Sequence, residues 1–239
     1  MQSLNREIFK NPEIVMNNIS LIEHAFQSEK SIAVPHYLLC SGRNYAEYNG
    51  EIWRMYGYIE NTSCIPYNFD YGFAVGRFLR VVNSYGFEFE NPINLHDFRL
   101  NLPLRNIHGD TKSDNIIFGK KTAIIDLDNA MRSYICADYG DMIRSVTTES
   151  FDLQAIYDTT KGFAKGIGDL LTAKEISTLY SGIVLIITEL KDRYHSGIKN
   201  FPNKTSEQCL EREKSLILQL DEFYSHEDEI KNIINRCFE

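Results

Sequence analysis

The chain has 239 residues, a net charge of −8 and 24% charged side chains. That length buries a proper core and allows one or two domains. The acid excess argues against nonspecific nucleic-acid binding, which takes its affinity from a basic surface.

The first element is a helix over about Pro12–Ser28, with Asn11 as N-cap, Pro12 at the first helical position and Glu13 in the first turn. Ile14, Val15, Ile19, Ile22 and Phe26 form its apolar face. Residues 33–59 read as antiparallel sheet: a strand at Tyr37–Cys40, a second beginning near Tyr45, and a third at Ile52–Tyr56. The turn signal Tyr48-Asn49-Gly50-Glu51 precedes that third strand. Trp53 is expected to serve sheet packing. A helix over Asn68–Tyr85 follows, with Phe69, Phe73, Val75, Phe78, Leu79 and Val82 at helical spacing and Gly86 as its stop. Residues 91–103 are short and irregular and include Asn94-Leu95-His96-Asp97-Phe98.

The next stretch carries the chemistry. It runs His108-Gly109-Asp110, then Lys112, then Asn115; two β-like runs, Ile116–Phe118 and Ala123–Ile125, flank a Gly119-Lys120-Lys121 turn and end on Asp126-Leu127-Asp128. A polar loop therefore precedes a tight hairpin that returns a carboxylate beside the loop. Phosphoryl transfer needs a carboxylate near the acceptor hydroxyl, oxygen ligands for Mg²⁺ and cations or N–H groups to offset charge. Asp110 is the candidate base or hydroxyl-orienting group. Asn115 and Asp126 supply the hard oxygen donors that Mg²⁺ prefers. Lys112 reaches a phosphate or steadies Asp110, and His108 holds the loop from behind. Taken singly, each is more often a turn residue; it is their order that points to one catalytic loop and one metal strand.

Beyond the hairpin, Ala130–Ala137 is a short connecting segment. A helix over Asp138–Val146 follows, in which Asp141 and Arg144 share a face and tie the helix to the catalytic loop, while Asp138 reads equally as an N-cap. Residues 150–168 form a helix with Phe151, Leu153, Ile156, Tyr157 and Phe163 as core. Thr172-Ala173-Lys174-Glu175 is a capping box opening a continuous helix to about Tyr194. The apolar run within it, ISTLYSGIVLIITEL, is too short and too polar for a membrane span. A polar loop over Lys199–Ser206 contains Pro202 and leads to a helix over Thr205–Tyr224, then another to about Cys237. Glu211-Arg212-Glu213-Lys214 and Glu227-Asp228-Glu229 read as solvated faces. Cys40, Cys64, Cys136, Cys209 and Cys237 are scattered without metal spacing, so free thiols in a reducing cytoplasm are expected, and no signal segment opens the chain.

HGDTKSDNIIF with IIDLD resembles the motif of the aminoglycoside phosphotransferase and choline kinase group, distant relatives of protein kinases. LNREIFKNPEIVMNNI, EIWRMYGYIENT, DYGDMIRS and SFDLQAIYDTTKGF extend the likeness to the N-acetylhexosamine 1-kinase branch. The resemblance implies an α+β, protein-kinase-like two-lobe fold. An incomplete N-terminal β lobe would occupy residues 1–59 and a mainly helical C-terminal lobe residues 60–239. It implies ATP and Mg²⁺ as cofactors and, as substrate, a sugar or amino sugar phosphorylated on its anomeric hydroxyl, with no nucleic-acid or membrane partner. Gly57, Tyr58 and Ile59 become the hinge that meets adenine, with Phe118 and Ile125 also nucleotide-binding. Gln2 matches a strand Gln, and Glu13 or Glu23 the helix acid that pairs with a phosphate-binding residue. Arg193 matches a sugar-contacting Arg, beside Asp192, or else satisfies carbonyls at its helix end. The glycine-rich strand-turn-strand that covers the phosphates in the family would precede Met1, and a helical insert before the catalytic loop is also missing. The alternative to a kinase is therefore a shortened, impaired domain that binds without efficient turnover. Choline, an aminoglycoside or homoserine would be the acceptors of a kinase that does not use sugar.

Overall fold

A computed structural model describes residues 1–60, 68–93, 99–197, 200–201 and 203–239. The fold is α+β, with three small antiparallel sheets and eight α-helices among the described residues. The segment Asn94–Phe98, Cys64 and Pro202, singled out in the sequence, lie outside the described residues.

The first sheet has strand order β1-β3-β2, with β1 at Gln2–Ser3, β2 at Ala46–Tyr48 and β3 at Glu51–Arg54. Asn49 and Gly50 both adopt positive φ, 52° and 77°, in the two-residue turn that Asn-Gly favours, and this sets the pairing Tyr48↔Glu51. Tyr37–Cys40 is not the strand expected: Tyr37 and Cys40 make only isolated bridges, to Tyr56 and Arg43. Helix α1 spans Pro12–Phe26, and the Asn11 side chain makes no capping bond. Its buried Asn18 donates to the carbonyls of Glu90 (2.7 Å) and Ala130 (2.8 Å), anchoring α1 beside the loop that follows Asp126.

Helix α2, Asn68–Val82, is the centre of the helical part. It packs against α4, Leu153–Ile167, through glycines on both sides. A Cβ on Gly72 or Gly76 would strike the α4 carbonyls of Thr159 or Phe163, and one on Gly162 or Gly166 would strike those of Phe69 or Phe73. Backbones this close exclude any side chain at the crossing. Helix α3, Ile135–Val146, repeats the device against the later helix through Gly140 and Gly182.

Strand β4 (Arg105–Ile107) leads into the His108–Asn115 loop and pairs with β7 (Met131–Ser133), which lies within the segment expected to be a mere connection. Strands β5 (Ile116–Phe118) and β6 (Thr122–Ile124) make the hairpin, Ile116 opposite Ile124. Backbone bonds of Ala33 to Thr122 and of Ile124 to Ala33, both 2.9 Å, join the hairpin to the N-terminal segment.

The expected continuous helix after Thr172 is broken. The capping box forms, but α5 ends at Ser177 and α6 runs Leu179–His195. Thr178 takes a near-bridge conformation, φ −98° and ψ −2°, and its N–H closes on Glu175. Helix α7 covers Ser206–Ser225 behind a second capping box, Thr205 with Gln208, and α8 covers Glu227–Phe238. Cys40, Cys136, Cys209 and Cys237 are free thiols. No helix among the described residues is long and apolar enough to cross a membrane.

Candidate active site

The loop from His108 to Asn115 is fixed at nearly every residue. His108 is fully buried. Its Nδ1 accepts the Asp110 N–H (3.3 Å), which leaves Nε2 to donate to the Ile125 carbonyl (3.0 Å). Histidine thus couples the loop to the residue before Asp126. Gly109 sits at φ +80°, and a Cβ there would strike the Asn129 carbonyl, so the position requires glycine. Asp138 on α3 accepts the N–H groups of His108 (2.7 Å) and Gly109 (2.9 Å). Thr111 Oγ1 donates to the Asp138 carbonyl (2.6 Å), and the Tyr71 hydroxyl donates to the Thr111 carbonyl.

This corrects the roles expected on α3. Asp138 ties the helix to the loop and is no N-cap. Asp141 and Arg144 pair with each other instead, Nε to Oδ1 at 2.8 Å, and both line the cavity described below. Asp141 Oδ2 is buried with no hydrogen-bond partner among the described residues.

Asp110 Oδ2 accepts from Lys112 Nζ at 2.7 Å. Burial presses the Lys112 pKa down, but the Asp110 carboxylate outweighs it and holds the ammonium above its ordinary value. The Asn115 Nδ2 group donates to the Asp110 carbonyl (2.8 Å), leaving Oδ1 as its available donor atom for a metal. The Ile125 N–H donates to the Asn115 carbonyl (2.9 Å), so the hairpin delivers Asp126 beside Asn115. Asp126 takes the left-handed conformation, φ 61° and ψ 57°, which Asp tolerates better than most residues. Desolvation, then the charges of Asp128 and Asp110, push its carboxyl pKa up. A carboxylate so crowded by others is relieved by a cation, and the oxygens of Asn115 and Asp126 suit a hard divalent one. No group of three or more His, Cys, Asp or Glu among the described residues forms a metal cluster; the donor set here is one amide and one carboxylate.

Asp128 is taken by Arg54, with Nη2 to Oδ2 at 2.8 Å and Nη1 to Oδ1. The two side chains are 2% and 11% exposed. Arg54 also donates to Gln2 Oε1 (2.8 Å), so Gln2 serves this strut between the first sheet and the loop after Asp126. Nothing in the sequence marks Arg54 for this role beyond a cation set among Ile52, Trp53 and Met55.

Asp110, Lys112, Asp126, Asp141, Arg144 and Arg193 line one cavity of about 1110 Å³, with α6 and α7 as its far wall. Arg193 carries its guanidinium over the Phe201 ring at 5.4 Å. Gly57, Tyr58, Ile59, Phe118 and Ile125 lie outside this lining, and Tyr58 is fully exposed to solvent. Neither acid of α1 reaches the cavity: Glu13 is exposed, and Glu23 accepts from the Tyr37 N–H (2.9 Å) and contacts His36 (3.0 Å). Arg212, expected on a solvated face, is half-buried and lines the far wall.

Residues 86–167, which contain this loop, match the model of the phosphotransferase enzyme family, APH. The fold is shared with solved structures of low identity. A microcompartment-associated aminopropanol kinase superposes with a TM-score of 0.67 at 10% identity, over 95% of this chain and 85% of that one. An aminoglycoside phosphotransferase from Alicyclobacillus acidocaldarius gives 0.65 at 11% identity, over 96% and 86%. An amicoumacin kinase in complex with AMP-PNP, Ca²⁺ and Ami gives 0.61 at 13%, over 94% and 77%.

Proposed function

We propose that this chain is a small-molecule phosphotransferase, moving the γ-phosphoryl group of ATP to a hydroxyl, with the anomeric hydroxyl of an N-acetylhexosamine as acceptor. The observation that carries the reading is the convergence of Asp110, Asn115 and Asp126 through the bonded hairpin, beside a cavity large enough for two ligands. The family match over the loop and the kinase-like fold support it. The aminopropanol and amicoumacin kinases act on small molecules by their names, and the latter was solved with a nucleotide analogue and a divalent cation.

In this reading Asp110 accepts a hydrogen bond from the acceptor hydroxyl, orients it and takes its proton as that oxygen bonds to the γ-phosphorus, while the bond from the γ-phosphorus to the bridging oxygen breaks and ADP leaves. Lys112 steadies that carboxylate and offsets phosphate charge. Asn115 and Asp126 would hold Mg²⁺, which would supply positive charge to offset that of the phosphates. His108 and Asp138 keep the loop in register. The sugar rests on the likeness of the quoted segments to the N-acetylhexosamine 1-kinase branch, and Arg193 on the cavity wall is the residue proposed to meet it.

The test is a ³¹P NMR assay with ATP, Mg²⁺ and parallel acceptors: N-acetylglucosamine, N-acetylgalactosamine, choline, ethanolamine, homoserine and an aminoglycoside. A sugar 1-phosphate from an N-acetylhexosamine is the expected product. Phosphorylation of an amine-bearing acceptor alone would overturn the sugar assignment, and no transfer to any acceptor would count against the kinase.

A further inference from the structure

The cavity is lined by carboxylates of the His108–Asp128 segment and of α3, and by cations of α6, of α7 and of the segment between them. Most of those carboxylates are provided with a cation: Lys112 on Asp110, Arg54 on Asp128 and Arg144 on Asp141. The far wall carries Arg193 in the last turn of α6, Lys204 in the segment before α7 and Arg212 on α7. These three have no carboxylate within ion-pair distance among the described residues. Arg212 is half-buried, and its one side-chain hydrogen bond among the described residues is to Ser215 Oγ at 3.3 Å. Desolvation, then the charge of Arg144, lower its pKa from the ordinary guanidinium value. The neighbouring Glu213 is already taken by His195 at 2.8 Å. Glu189, one turn before Arg193, and Glu149 also line the cavity, two acids against these three cations. A guanidinium that burial penalises and no carboxylate compensates, facing a cavity, is an anion site in waiting.

We propose that the acceptor carries an anionic substituent, a carboxylate or a phosphate, seated against Arg212 with Arg193 and Lys204 while its reacting hydroxyl faces Asp110. This rests on the phosphotransferase reading of the same cavity and narrows it to an acidic N-acetylhexosamine. The phosphates of the nucleotide are the competing anion. They would sit with the cation that Asn115 and Asp126 would hold, which leaves the cations of α6 and α7 to the acceptor.

Calorimetric titration of the full chain separates these ideas. The probes are N-acetylglucosamine, its 6-phosphate, its uronic acid, and ATP with Mg²⁺, each titrated into the wild type, Arg212→Gln and Arg212→Lys. At least one acidic sugar is expected to bind about tenfold or more tightly than the neutral one. Arg212→Gln removes most of that preference, Arg212→Lys keeps part of it, and the ATP affinity stays within about twofold. Which acidic sugar wins distinguishes carboxylate from phosphate. Equal binding of neutral and acidic sugars, binding of none, or a loss confined to ATP would each overturn the proposal. An acidic sugar that binds with this preference but receives no phosphate counts against the kinase reading and upholds the anion site.

Discussion

Asp138 shows how a single side chain holds the loop from His108 to Asn115. Its carboxylate satisfies two consecutive loop N–H groups, that of His108 buried and that of Gly109 partly so. Asp138→Asn replaces one acceptor with a donor aimed at an N–H, so kcat should fall by about 100-fold or more while the acceptor KM changes little, with a stability loss of about 1–3 kcal/mol. Steady-state kinetics and urea melts check both. Glu29 is a stability residue away from the cavity. Burial raises its carboxyl pKa, but hydrogen bonds from Ser31 and the Arg77 guanidinium outweigh that and hold it at about 2, against an ordinary 4.5. A carboxyl depressed in the folded state contributes stability that is fully present above 4.5 and lost as the pH falls toward about 2. Because Arg77 is 36% exposed, the worth of the pair is discounted to about 1–2 kcal/mol. Urea melts of Glu29→Gln against the wild type should show that difference at pH 7 and a shrinking one below pH 4.5. Asp110, Asn115 and Asp126 were legible in the sequence because their geometry is local, a loop and a tight hairpin. Asp138 and Arg54 were not, because their partners lie far along the chain; Arg212 was not, because a charged residue in a helix looks solvated until the wall it lines is known.

At the scale of elements, the α2–α4 crossing positions the rest. Tyr71, which braces Thr111, is adjacent to Gly72, so the loop depends on how closely the two helices approach. A Gly162→Ala methyl has no room against the Phe69 carbonyl and must push the helices apart. The cost should be about 2–4 kcal/mol, read as a lower urea midpoint, with kcat falling as well because the brace at Tyr71 moves. Gly72, Gly76, Gly162 and Gly166 stand at four-residue spacing in the sequence, a pattern of close helix approach. The apolar periodicity of α2 and α4 located the helices and hid this contact. The break at Thr178 left no mark, since neither Gly nor Pro stands there; the helix turns because α5 is held through Glu175 by Arg105, at 3.0 Å, as well as by its capping box. The β4–β7 pairing was hidden in the same way, because three-residue strands carry too little alternation to be read.

Across the whole molecule, the first sheet and the helical part meet through the Arg54–Asp128 strut and the Ala33 bridge to the hairpin. Asp126 lies on the cavity side of that junction, its carboxyl held up by loss of water and by neighbouring carboxylates. A group raised in the folded state is penalised when ionised, so Asp126→Asn should leave the Tm at pH 7 unchanged or higher. The same variant should lose the stabilisation that ATP with Mg²⁺ gives the wild type, a rise of several degrees at saturating ligand, measured by calorimetry. The central claim is that Asp110 serves phosphoryl transfer to a small-molecule hydroxyl. It is tested most directly by comparing the wild type with Asp110→Asn for γ-phosphate transfer from ATP to N-acetylglucosamine and its acidic derivatives. The account predicts transfer by the wild type and a loss of about 10²–10⁴-fold in the variant, with folding intact. Equal background from the two proteins would contradict it.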